Sequence, residues 1–115
     1  MRIRKLKAED IESVAKLIVE KHPGEKFEDV KEHTEWHVKG FPEICLVAED
    51  SGKIVGFIIC HLHTDSLEIE DIYVEEGYET LYKMLIKKVM EKIPKVDTVV
   101  IWIEDFMELI NRLSK

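Results

Sequence analysis

The sequence predicts an α/β fold: a mixed sheet in which antiparallel strands lead into a β-α-β unit, with helices on both faces. Three observations carry this. The apolar, β-branched runs 44–49 and 54–62 flank Asp50-Ser51-Gly52-Lys53, a strong hairpin turn signal. The second of these runs is apolar at odd and even positions alike, as expected for a strand covered on both faces. A helical pattern over 78–93 is then followed by the apolar run 98–103, and such a strand–helix–strand unit makes a right-handed crossover to a parallel neighbour.

The elements follow in order. Ile3 and Leu6 open the chain as a short strand, and Glu9 and Asp10 place carboxylates where a helix N-terminus favours them. Ile11, Val14, Ala15, Ile18 and His22 share one helical face, ended by Pro23-Gly24. A second helix from Phe27 aligns Phe27, Val30, Thr34 and Val38, leaves Trp36 roughly opposite, and stops at Gly40 and Pro42. After the hairpin, residues 67–74 alternate until a break of phase at Asp71-Ile72, the mark of a bulge. In the helix over 78–93, Tyr78, Leu81, Tyr82, Leu85, Ile86, Val89 and Ile93 share a face, and Pro94 closes it. A final short helix over 105–113 is expected to pack Phe106, Ile110 and Leu113.

With 115 residues the chain is read as one domain, residues 1–115. Apolar residues at 45% and charged residues at 36% suit a soluble globular protein, and the apolar runs are too short to span a bilayer. A formal charge of −7 repels a phosphate backbone, so neither nucleic acid nor membrane is an expected partner and a cytoplasmic location is the default. Cys45 and Cys60, the only thiols, fall inside strand-like runs as small hydrophobes; a hairpin at Ser51-Gly52 sets Cys45 opposite Ile58, a poor geometry for a disulfide.

Four stretches together resemble the GNAT acetyltransferase superfamily. They are Arg2 to Leu6 running through Asp10-Ile11, Leu46 to Glu49, Gly52 to Gly56, and above all Ile69-Glu70-Asp71-Ile72-Tyr73-Val74, which is similar to that family's fourth strand with its acidic pair. The resemblance implies acetyl-CoA as co-substrate, seated between splayed fourth and fifth strands, with its pyrophosphate on the first amides of the following helix. The cofactor contacts it implies are Ile72, Tyr73, Val74, Gly77, Tyr78, Glu79 and Thr80. The family's Arg/Gln-x-x-Gly-x-Gly/Ala loop here reads Val74-Glu75-Glu76-Gly77-Tyr78-Glu79-Thr80, shorter, without the basic residue and with at most Gly77 of the glycine pair. Glu75, Glu76 and Glu79 set like charge against a pyrophosphate, while Lys83 and Lys87 lie one and two turns further on. The chain also ends at Lys115, before the family's last two strands, which leaves a sheet edge that invites a homodimer.

Acetyl transfer needs a proton acceptor for the amine, a polarised thioester carbonyl and a proton for the leaving thiolate. By resemblance Glu70 is the base, a backbone N–H within 72–74 polarises the carbonyl, and Trp36 lies where the acceptor pocket for a small-molecule or protein amine is shaped. The tyrosine that supplies the thiolate proton in many members has no counterpart, Ile110 or Asn111 standing near its position, although Tyr73 and Tyr78 are close in sequence. His33 with His37, and His61 with His63, each have metal-compatible spacing, but the sequence places no third ligand and no metal is expected. Two functions stay open: an N-acetyltransferase, or a GNAT-fold ligand-sensing or interaction module that has lost CoA binding.

Overall fold

The computed structural model describes residues 1–114. Its elements are β1 (Arg2–Lys5), α1 (Ile11–Lys21), α2 (Phe27–Gly40), β2 (Cys45–Asp50), β3 (Lys53–Leu62), β4 (Ser66–Val74), α3 (Leu81–Glu91), β5 (Thr98–Ile101) and α4 (Ile103–Leu113). The strands form one five-stranded sheet in the order β1-β2-β3-β4-β5, antiparallel from β1 to β4 and parallel between β4 and β5. Among the described residues no helix is long and apolar enough to cross a membrane.

The central strand explains why both faces carry helices. Phe57 and Ile59 join Leu6, Ile11, Val14, Ala15, Ile18 and Val30 in a cluster under α1 and α2. Ile58 and Cys60 turn the other way and join Leu81, Tyr82, Leu85 and Val89 of α3. Gly56 lets α3 approach closely, because a Cβ there would stand 3.2 Å from a Leu81 methyl and 3.0 Å from the Tyr73 carbonyl oxygen.

Local differences from the sequence expectations have physical causes. α3 begins at Leu81 rather than residue 78, because Gly77 takes φ 94° and Tyr78 closes a tight turn on Glu75; the Tyr78 hydroxyl donates to Asp50 at 2.7 Å. β5 ends at Ile101, not at residue 103, since Trp102 already caps α4. An irregularity between Ala48 and Glu49 shifts the hairpin register, so Cys45 faces Ile59 instead of Ile58. Both cysteines are buried free thiols, and burial pushes the Cys45 thiol up to about 11.

α4 reverses the expected facing. Phe106, Ile110 and Leu113 are exposed, and the helix's buried residue is Asp105. An amphipathic pattern specifies a helix but not which stripe turns inward, and here Asp105 and Arg112 face inward on either side of the partly buried Leu109, toward the unpaired carbonyls of β4. Lys21 donates to Ile72 O at 2.8 Å and to Asp105 Oδ1 at 2.6 Å, and Arg112 donates to Val74 O and, at 3.0 Å, to Glu75 O.

At the start of the chain Arg4 grips Asp10 through two hydrogen bonds of 2.7 and 3.0 Å, and the Lys7 N–H adds a third at 2.8 Å. The Arg4 bond, first among these causes, holds the Asp10 carboxyl below its ordinary 3.8. A lowered folded-state value contributes stability that is complete above the unfolded value and is lost as pH falls through the folded one. Replacing Asp10 by Asn is therefore expected to lower stability at neutral pH while flattening its loss below about pH 4, as read by thermal unfolding at a series of pH values. An acid limb unchanged in the variant would assign that loss to other groups.

Candidate functional site

The site is built around one irregularity in β4. Asp71 pairs with Ile59 and Ile69 pairs with Cys60, so Glu70 is the extra residue opposite no partner. The bulge thus falls at Glu70, one residue before the Asp71-Ile72 break expected from sequence. A bulge sets neighbouring side chains on one side of the sheet, and Glu70 and Asp71 both line the cleft under α1 and α2. The parallel pairing also stops just before that residue, where β5 ends. β4 and β5 are in register from Ser66↔Thr98 to Ile69↔Ile101, and β4 continues to Val74 without β5 beside it. β5 is paired over its whole length and then gives way to α4, so the expected splay of two continuing strands is not seen; β4 runs on past the end of β5.

The cleft holds about 760 Å³ and is walled by Ile18, His33, His37 and Ile59, with Trp102 and Glu104 across from them. Its lining carries Glu25, Asp29, Glu70, Asp71 and Glu104 against a single lysine, Lys26, so its charge favours a cation. Glu70 is pushed up to about 7, first by burial and then by the neighbouring Glu68 carboxylate. Asp71 is pushed up to about 6, again chiefly by burial with Lys21 opposing, and its Oδ1 is buried without a hydrogen-bond partner in the protein. Perturbed carboxylates gathered in a cleft mark a functional site on physical grounds.

Histidines form the head of the cleft. His37 is buried, its Nδ1 3.0 Å from His33 O and its Nε2 4.0 Å from Glu70 Oε2. Candidate ligand atoms of His33, His37 and Glu70 all lie within 4.8 Å of one another. The fold thus supplies the third ligand type that sequence spacing could not place. His61 stacks on His63 at 4.4 Å between ring centres, and His63 Nε2 is 3.2 Å from Glu68 Oε1. Trp36 does not line the main cleft. It is exposed, lies 5.3 Å from the His61 ring, and borders a shallow depression with Asp29, Glu32 and His33.

On the far side of β4 stands the turn that precedes α3. Gly77 N–H donates to both oxygens of Glu79 at 3.1 and 3.2 Å, and Arg112 donates to Glu79 Oε2 at 2.6 Å and to the Tyr82 hydroxyl at 3.0 Å. The Arg112 bond is the first cause holding Glu79 below the usual carboxylate range. The cation that the loop lacks in sequence is therefore supplied in space by α4, where it already grips a carboxylate. Tyr73 stacks on Phe57 at 5.5 Å, Tyr78 is tied to Asp50, and Thr80 is exposed at the start of α3. Lys83 and Lys87 are exposed. Arg112 and Lys21 were not singled out as site residues by sequence, since neither has a local pattern that marks it, whereas His37 was noted only for its spacing from His33.

The site thus comprises an acidic cleft on one side of β4 and an anion-gripping turn on the other, on a five-stranded mixed sheet. The model of the acetyltransferase (GNAT) family matches residues 11–108, and the chain belongs to that family. No curated protein matches the chain significantly in sequence. Among solved structures it is similar to a provisional acetyltransferase from Pyrococcus horikoshii, with 22% identity, a TM-score of 0.68, and coverage of 85% of this chain and 36% of that one. It is also similar to a ribosomal-protein-alanine N-acetyltransferase from Brucella melitensis, with 20% identity, a TM-score of 0.66, and coverage of 96% and 82%. An aminoglycoside 6'-N-acetyltransferase complexed with coenzyme A gives 22% identity, a TM-score of 0.61, and coverage of 80% and 57%. The chain thus spans about a third of the length of the first and little over half of the last.

Proposed function

We propose that the protein is an N-acetyltransferase that uses acetyl-CoA and acetylates a cationic amine, small or protein-borne, with Glu70 as proton acceptor. The observation that carries this reading is the bulge that sets Glu70 in the acidic cleft just beyond the end of β5. Acetyl-CoA would supply the thioester when bound: as nitrogen forms the new C–N bond the C–S bond would break, and the sulfur would leave as a thiol carrying the proton that the acylated nitrogen sheds. The acidic lining draws in an ammonium group, and Glu70 on the cleft wall takes its proton so that nitrogen has a free lone pair. Ile72 and Val74 turn their carbonyls to the side of β4 that lies beyond the end of β5, to Lys21 and Arg112. In extended strand their N–H groups point the same way, and these are the donors proposed to polarise the acetyl carbonyl.

A pyrophosphate requires what Glu79 now enjoys: the Gly77 amide and the Arg112 guanidinium. In this reading Glu79 holds the place of the anion and yields it on binding, with Tyr73, Tyr78 and Thr80 flanking the same opening. Among these groups the residues present fit an acyl-CoA only once that carboxylate moves. The same plug is what favours the second reading, a GNAT-fold module that no longer binds CoA.

Calorimetry with acetyl-CoA separates the two. On the enzyme reading the chain binds the cofactor, Glu79→Gln tightens binding by roughly tenfold through loss of a competing like charge, and Arg112→Ala weakens it. Absence of binding at millimolar cofactor in both the native chain and Glu79→Gln would establish the module instead.

A further inference from the structure

We propose that His33, His37 and Glu70 bind one zinc-type divalent ion at the head of the cleft. Positions four apart on α2 stack the two imidazoles on one side of the helix, 4.6 Å between ring centres, and the β4 bulge brings the Glu70 carboxylate up to them. Their ligand atoms already lie within 4.8 Å of one another. A tetrahedral ion with bonds of about 2.0–2.1 Å holds its donors roughly 3.4 Å apart. Closing the set therefore needs inward shifts of about an ångström, which the exposed His33 ring and the partly exposed Glu70 side chain make by rotation about their own bonds.

The buried ligand is already prepared. With its Nδ1–H donated to His33 O, assigned from the 3.0 Å contact, His37 leaves the Nε2 lone pair toward Glu70. A backbone carbonyl on the distal nitrogen is the usual outer partner of a metal-bound imidazole, and it fixes the tautomer that binds. Among the described residues no lysine or arginine forms an ion pair with Glu70, whose carboxylate instead faces Glu68 and His37. A divalent ion supplies the missing counter-charge. Two imidazoles and one carboxylate form a nitrogen-rich set suited to zinc, whereas magnesium and calcium demand oxygen ligands. The fourth position opens on the cleft, as in a site that keeps a water or takes a ligand.

Binding of the ion does not depend on acetyl transfer, but the two uses of Glu70 exclude each other, so zinc occupancy would withdraw the proton acceptor. The test is titration calorimetry of the chain, freed of any affinity tag and without acyl-CoA, against zinc chloride, with magnesium chloride as control. One zinc per chain at micromolar affinity or better is expected, with no comparable magnesium binding. His33→Ala, at an exposed position, and Glu70→Gln should each weaken zinc binding by at least about tenfold, a loss seen even for outer partners of zinc ligands. His61→Ala and His63→Ala should leave it unchanged. Lack of zinc uptake overturns the proposal, and so does uptake that survives His33→Ala or that disappears with His61 or His63, which would move the ion to the neighbouring pair beside Glu68.

Discussion

Glu70→Gln is expected to lower kcat for acetylation of a primary amine by roughly 10² to 10⁴-fold, the range removed with a positioned general base. The dissociation constant of acetyl-CoA should stay unchanged. Gln preserves the shape and hydrogen-bonding reach of the side chain, which is 19% exposed and lines open cleft rather than sealed core. The amine acceptor therefore finds the same walls, and only the proton acceptor is gone. Loss of kcat without loss of cofactor affinity assigns the interaction to the transition state rather than to ground-state binding. The assay belongs in a chelator, which keeps zinc from competing for the same carboxylate. A variant with full turnover would remove Glu70 from the chemistry and leave Asp71, the other raised carboxyl of the cleft, as the group to replace next.

Lys21→Met should cost about 3–5 kcal/mol of folding stability, because removing one member of a buried ion pair strands the other. The Lys21 ammonium is shared by the Asp105 carboxylate, whose side chain is 2% exposed, and by the Ile72 carbonyl, and it also draws down the neighbouring Asp71 carboxyl. Apart from Leu109, which packs against the core, the apolar residues of α4 do little to hold its start to the sheet, since Ile103, Phe106, Met107, Ile110 and Leu113 are exposed. The urea midpoint should fall, and a changed slope would show that α4 detaches before the rest unfolds. Adding Asp105→Leu to Lys21→Met should recover most of the loss, since an apolar replacement of a whole buried pair is often neutral. A loss below about 1 kcal/mol for the single variant, the worth of an exposed ion pair, would mean that α4 is held some other way.

The order of strands and helices could be read from the sequence because periodicity is a local property. The odd and even apolar positions of residues 54–62 foretold two covered faces, and Phe57 and Ile58 indeed enter opposite cores. The parting of the parallel strands, expected through resemblance, is not seen, because β5 ends at Ile101 still paired to Ile69 and the chain turns at once into α4. Smaller features slipped by one residue where a bulge intervened, as with the partner of Cys45 and the phase break beside Glu70. A bulge changes the pairing count by one while barely changing composition, so its neighbourhood is legible and its exact position is not.

By itself the sequence determined the elements, their order and the two-sided sheet from neighbours along the chain, while Glu70 was singled out through the family resemblance. Only the tertiary structure decided what Glu70 meets, that His33 and His37 stand over it, and that α4 turns its polar stripe inward to set Arg112 on Glu79, 33 residues away. Those contacts depend on how the sheet is ordered and on which carbonyls of β4 lack a strand partner. A pattern within one helix records that it has two unlike stripes, and the unpaired backbone beside it decides which stripe is buried.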